Sequence, residues 1–398
     1  MKIKLIGIWF TICILTAVVV QPICAAESIL LVTSDKTAVN DKWFKIMAQD
    51  VPQFNSTSSI FQNQQVAIVV FYKEPSTDSA HQAKIFFDLK VVFPDGNSTE
   101  QKEIKVIVGK ISEAKIVRLS EQIPYLTFDK PGNYQIQVSV RDMNAKTVQI
   151  HKKTIEVKEY FNNRYFNDIN TFSNWMNTYY QSLTPEKIID GMVFFAHGDP
   201  NIRNKRFSQV SVFFGKALSD NQYLIPHLLN IYPEQDNDMK MTILGTLPYI
   251  KHDFSEFINQ LPDNEKQFYS EWLNQYIQYP DRGIKEPTTI KESIRISYQM
   301  DMLWSYFFAS GEYPPIKQLV EVLELGKFKG SLEKYKQTKS SADEENAAKE
   351  LVYKASRWSI ETNIKQHRLV KDYCEFIYAQ ENLPPYAKQE LKEVLGKN

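Results

Sequence analysis

Side chains able to carry a reaction are few in this sequence, and they are scattered. Six histidines stand at positions 81, 151, 197, 227, 252 and 367, and no two are three or four apart, the spacing that places metal ligands on one helix face. Glycine-rich phosphate loops, a Gly-x-Ser-x-Gly elbow, a His-Glu-x-x-His run and Cys-x-x-Cys pairs are all missing from it. Spacing therefore assigns no catalytic residue, no cofactor and no metal. His197-Gly198-Asp199 is the least bland trio. The histidine could act as a base oriented by the aspartate; equally, His would complement a helix end and Asp-Pro would open a turn. Asp301 lies within Met300 to Ala309, where almost every other residue is apolar. A carboxylate buried there must be paired or hold its proton more tightly. Arg357, beside Trp358, is its expected partner, and an acid working in a cleft is the alternative. Trp175 and Tyr179 stand one helical turn apart in a stretch crowded with aromatics from Tyr160 to Tyr180. They read either as cement between two parts of the chain or as a surface that stacks on a sugar ring or holds a peptide.

These residues need a scaffold, and composition bounds it. A chain of 398 residues that is 43% hydrophobic and 24% charged is globular and long enough for two domains. The 47 basic and 47 acidic residues cancel, so no overall field favours nucleic acid or an anionic bilayer. Basic residues also fail to interleave with aromatics as a nucleic-acid platform requires. Lys2 and Lys4 precede an apolar run from Leu5 to Val20, which Pro22 breaks ahead of Ala25 and Ala26. That is the pattern of a secretory signal over residues 1–26, cut after Ala25 or Ala26. An uncleaved anchor is the alternative, and the bulky Ile23 argues against lipid attachment at Cys24. No later stretch reaches the ~18 apolar residues that span a bilayer, so no transmembrane segment is expected after the signal, and the mature chain should be periplasmic or secreted. Signal removal leaves Cys374 as the one thiol, hence no internal disulfide, and its helical surroundings suit a small buried hydrophobe. Asn55-Ser-Thr and Asn97-Ser-Thr match glycosylation acceptors, relevant only in a system that glycosylates.

Hydrophobic periodicity divides the mature chain near residue 160. Over residues 27–158 the period is two: Ile85, Phe87, Leu89, Val91 and Phe93 share one face, and Pro94-Asp95-Gly96 turns the chain into a partner strand. About seven short strands predict an antiparallel β-sandwich. Over residues 159–398 the period becomes 3.6. Thr184-Pro185-Glu186 and Ser341-Ala-Asp-Glu344 read as helix starts, and Leu351, Ala355, Trp358 and Thr362 mark one helix face. Phe194-Phe-Ala-His-Gly-Asp-Pro200 and Phe307-Phe-Ala-Ser-Gly-Glu-Tyr-Pro314 both close an apolar helix and open another. The fold class is thus α+β as separate domains, with an all-α second part that could be a drifted α-solenoid.

Two resemblances add to this. Pro131-Gly132-Asn133-Tyr134, followed by alternating β-branched residues, resembles the end of an immunoglobulin-like or fibronectin-type domain, in which such a tyrosine anchors a corner. The runs Met300-Asp-Met-Leu-Trp-Ser-Tyr-Phe-Phe-Ala-Ser-Gly-Glu312 and Ala355-Ser-Arg-Trp-Ser-Ile-Glu-Thr-Asn363 are similar to the helical carboxyl end of uncharacterised exported bacterial proteins. That resemblance implies an envelope-associated bacterial protein and transfers no catalytic residue. The expected function is non-enzymatic binding of a protein partner through the helical domain, with a glycan also conceivable as ligand. A secreted polysaccharide hydrolase or lyase is the rival, because paired acids for such chemistry leave no local spacing. A periplasmic assembly factor or chaperone is a third reading.

Overall fold

The computed structural model describes residues 27–35, 55–73, 75–110, 117–161, 163–275, 283–380 and 382–397; the expected signal falls outside them. Nine strands come first: β1 (Glu27–Thr33), β2 (Ser59–Phe61), β3 (Gln65–Lys73), β4 (Gln82–Val92), β5 (Ser98–Lys110), β6 (Val117–Leu119), β7 (Tyr125–Thr127), β8 (Gly132–Asp142) and β9 (Thr147–Lys158). Alternation does what the sequence implies. Ala83, Ile85, Phe87, Leu89 and Val91 of β4 are buried, as are Tyr134, Ile136, Val138 and Val140 of β8. β3 is buried at every position from Val66 to Tyr72, because apolar side chains cover both of its faces.

The strand arrangement departs from an immunoglobulin-like antiparallel sandwich. One sheet places β3 between β1 on one side and β6 and β7 on the other. The second runs β2-β9-β8-β4-β5, and β2 lies parallel to β9, so this sheet is mixed; it curls into a half-barrel. Alternating hydrophobicity reports which face is buried, not which way the neighbouring strand runs, so the sequence pattern could not reveal the parallel pair. The curl has a local cause. The β4–β5 register shifts between Ile85 and Phe86 and again between Phe87 and Leu89, and such irregularities increase twist. Asp88 supports the second shift: its Oδ1 accepts the Glu103 amide at 2.9 Å and pairs with Arg141 at 2.8 Å. The tyrosine contact itself is present, Tyr134 donating its hydroxyl to the Lys130 carbonyl at 2.9 Å. The corner exists here without the sandwich.

Thirteen helices follow among the described residues. They are α1 (Ile169–Thr178), α2 (Ile188–Ala196), α3 (Pro200–Asp220), α4 (Ile225–Ile231), α5 (Asn237–Thr246), α6 (Ser255–Gln260) and α7 (Asp263–Gln275), then α8 (Ile290–Ser310), α9 (Tyr313–Glu321), α10 (Ser331–Thr338), α11 (Ser341–Gln366), α12 (Arg368–Gln380) and α13 (Pro385–Val394). Both rhyming runs are stop-and-start signals. Asp199 caps α3 behind Gly198, and Gly311 ends α8 in the left-handed conformation at φ 68°. The cap of α11 is Ser340, one residue ahead of the expected Ser341, its hydroxyl accepting the Asp343 amide.

The helices gather on two apolar clusters. Residues from Phe166 to Leu261, with Ala309, make the first, and Tyr180 with residues from Ile296 to Leu391 makes the second. α3 and α1 both pack on α8, far along the chain. A solenoid repeat touches only its sequence neighbours, so the drifted-solenoid expectation fails on this crossing. Lys216 of α3 clamps the seam between the clusters. Its side chain is only 10% exposed, and its ammonium meets Asp220 at 2.9 Å and Glu312, just past α8, at 2.5 Å, above the Tyr306 ring. The two halves of the chain meet where Phe61 of β2 packs edge-on against Tyr160 and stacks with Tyr223.

Within the first cluster α3 approaches the turn Leu247–Tyr249 so closely that a Cβ on Gly215 would stand 2.3 Å from the Tyr249 Cβ and 3.0 Å from the Thr246 carbonyl oxygen. Gly215→Ala should therefore cost about 1–3 kcal/mol, the range for overpacking. A urea midpoint equal to that of the wild type would show that the backbones are not in contact.

Candidate functional site

On one side the seam opens into a cleft of about 430 Å³. Four helices supply most of its walls, each with residues at the helical spacing of a single face, and Phe195 of α2 completes them. α1 gives Phe172 and Met176, α3 gives Arg206 and Gln209, α8 gives Asp301, Trp304 and Phe308, and α11 gives Trp358 and Thr362. Asn363 and His367 extend the last wall. The Met300–Glu312 and Ala355–Asn363 runs, separate in sequence, thus face one another across this space. Of the α11 face marked by Leu351, Ala355, Trp358 and Thr362, the last two line the cleft, with Trp358 69% exposed, whereas Ala355 packs on the second cluster.

Asp301 stands half-buried in the cleft. Gln209 donates its Nε2 to Asp301 Oδ2 over 3.4 Å, a long bond. Burial pushes the Asp301 carboxyl above the ordinary aspartate range, and the Gln209 bond and Arg206 charge oppose this without cancelling it. His367 contacts the Tyr180 hydroxyl through Nδ1 at 3.0 Å, and burial holds its imidazole below the usual histidine range, so it is neutral at pH 7. Two buried polar atoms of cleft residues have no hydrogen-bond partner, the Trp304 indole nitrogen and the Gln209 amide oxygen.

The other sequence candidates go elsewhere. Arg357 does not pair with Asp301, because on α11 it points to α13. There its guanidinium meets Glu390, Glu393 at 3.0 Å and Glu361 at 3.0 Å, and donates to the Tyr353 hydroxyl at 3.1 Å. Trp175 and Tyr179 are buried in the first cluster against Phe213 rather than displayed. Trp175 donates its indole N–H to Thr184 Oγ1 at 2.9 Å, and the Tyr179 hydroxyl accepts from Asn221 at 3.3 Å. His197 pairs with Asp236 at 2.8 Å, not with Asp199, whose carboxylate caps α3 by accepting the Asn201 amide. Cys374 is fully buried, and burial raises its thiol. Sequence reasoning does not find Gln209 and Arg206, since within an amphipathic helix neither carries a local signal. Among the described residues no three His, Cys, Asp or Glu side chains converge as a metal ion would require, and no helix is long and apolar enough to cross a membrane.

Two variants test this electrostatic description. A carboxyl whose pKa is raised by folding weakens the fold once ionised, and that penalty grows as pH rises from the ordinary aspartate value through the raised one. Asp301→Asn should accordingly unfold at pH 7 at no lower urea midpoint than the wild type, the two converging in acid; a clear loss at pH 7 would mean the carboxylate is held by a charge partner. Glu390 behaves oppositely. Burial alone would raise its carboxyl, but Lys329, Tyr353 and Arg357 together hold it below the usual range. Its contribution is present above the ordinary glutamate value and lost as pH falls through the lowered one. Glu390→Gln should cost about 3–5 kcal/mol at pH 7, as when a buried pair loses one member, and should flatten the acid limb of the stability profile. A calorimetric scan across pH checks both effects.

No protein-family model and no curated protein matches the chain. Among solved structures, the native E. coli alpha-2-macroglobulin is similar over 86% of this chain and 24% of its own, at 9% identity and TM-score 0.18. Salmonella alpha-2-macroglobulin reacted with methylamine is similar over 93% of this chain and 26% of its own, again at 9% identity and TM-score 0.18. A family 76 glycoside hydrolase from a bovine Bacteroides thetaiotaomicron strain covers 84% of this chain and 87% of its own with the same two values. The chain spans about a quarter of the length of either macroglobulin. At a TM-score of 0.18 none of these three likenesses carries an argument about what the protein does.

Proposed function

We propose that the protein is an exported bacterial binding protein with no catalytic step of its own, which receives a small ligand, or one end unit of a larger partner, in the seam cleft. One observation carries this reading. Two runs distant in sequence build the facing walls of a single cleft, and that cleft keeps a large aromatic, Trp358, exposed at 69% instead of burying it. An indole left in water forgoes the stabilisation its burial would supply, and a ligand restores it. A volume of 430 Å³ suits a small molecule. An ordinary protein interface covers about 800 Å² on each side, so a protein partner would place only a terminus or one protruding group here. Binding is favoured over glycan cleavage because Asp301 is the one carboxylate among the described lining residues, whereas glycoside hydrolysis uses two. Export rests on the basic, apolar and small-residue succession of residues 1–26.

Native mass spectrometry of the protein isolated from its own host tests both parts. The mature chain should begin at Ala26 or Glu27 and carry a small-molecule adduct that Trp358→Ala loses. A chain retaining Met1 would overturn export, and an adduct indifferent to Trp358→Ala would move the binding site away from the cleft.

A further inference from the structure

The chemistry of the cleft narrows the ligand that the binding reading leaves open, and the ligand class it points to depends on that reading. The unused hydrogen-bonding capacity that a ligand in the cleft can reach lies on Asp301, since the unpartnered Trp304 indole nitrogen and Gln209 amide oxygen are wholly buried. Asp301 accepts a single long bond from Gln209, and a carboxylate has room for several. On the opposite wall the Thr362 and Ser359 hydroxyls donate to carbonyls of their own helix, at 2.8 and 2.9 Å, and so face a ligand as acceptors. Arg206 and Asp301 are the charged lining residues, and together they leave the lining with no net charge to draw in a strongly charged ligand. A purely apolar guest would strip water from Asp301 without replacing its hydrogen bonds.

We propose that the cleft binds a neutral sugar residue, its ring laid on the Trp358 indole and its hydroxyls bonded to the Asp301 carboxylate and the Arg206 guanidinium. A pyranose combines what the two walls ask for. Its C–H face is flat and apolar, as an indole requires, and each hydroxyl both donates and accepts, so one ring can serve a carboxylate and a guanidinium together. The sugar could be free or the end of a polysaccharide, and the two sources present the same ring to the cleft.

The test uses the mature chain and calorimetric titration with cellotriose, mannotriose and triacetylchitotriose, alongside pull-down on the insoluble polymers of the same sugars. At least one trisaccharide should bind, and Trp358→Ala and Asp301→Asn should each weaken it about tenfold, a loss equivalent to one well-placed contact. Binding of the trisaccharide without its polymer would identify a free sugar as the source, and binding of both would identify a chain end. Because Trp358 is exposed, its variant should keep the unliganded thermal midpoint, which separates lost binding from lost folding. Trisaccharide binding untouched by both substitutions would overturn the assignment. Failure of every sugar, with a host-derived adduct still lost in Trp358→Ala, would overturn the sugar and leave the binding reading standing. Failure of the sugars with no such adduct would overturn both.

Discussion

A buried ammonium fixes the geometry on which the helical region depends. Lys216 sits between Asp220 of its own helix and Glu312 at the end of α8, over the Tyr306 ring. Burial alone would lower its pKa, but the two carboxylates outweigh that and raise it, so the charge stays on. Isolated buried ion pairs contribute little net stability, yet breaking one is expensive because the survivors are left uncompensated. The clamp therefore acts on register more than on total stability. Two helical turns earlier on α3 stands Gln209, and the register that seats Lys216 on Glu312 also brings Gln209 to Asp301.

The cleft is the opening left where two well-packed clusters meet. On either side aromatic rings fill space edge-to-face, Trp175 against Phe213 in one cluster and Trp304 against Phe307 in the other. Between them run polar and half-buried side chains that a maximally stable protein would replace with apolar ones. Unpartnered atoms on Trp304 and Gln209 lower stability, and natural sequences keep such defects where function requires them.

Local features of this fold are legible from sequence, and relations between distant segments are not. Periodicity finds the buried face of β4, and Gly-acid-Pro runs mark where α2 hands over to α3 and α8 to α9, because each of these is decided within a few residues. The parallel neighbour of β9 is decided by a three-residue strand about a hundred residues away, and nothing in β9 records it. Asp301 is conspicuous as a lone acid among apolar residues, but its expected partner Arg357 faces the other side of α11 and neutralises Glu390. Trp358 shows the limit most clearly. Its spacing on the helix is that of a core residue, and whether the surface opposite is another helix or an open cleft depends on α1, α3 and α8 together.

The Arg357–Glu390 pairing has a bearing on the order in which the molecule is completed. α11, which carries Trp358, is braced by α13, the carboxylate of Glu390 gathering Arg357 and the Tyr353 hydroxyl from α11 itself and Lys329 from the stretch before α10. Polypeptides leave the ribosome amino end first, at about 5–20 residues per second. The pleated half and the first apolar cluster can settle while the rest is still emerging. The wall bearing Trp358 gains its brace only after residue 390 has come through, so a nascent chain passes through a stage in which that helix stands unsupported.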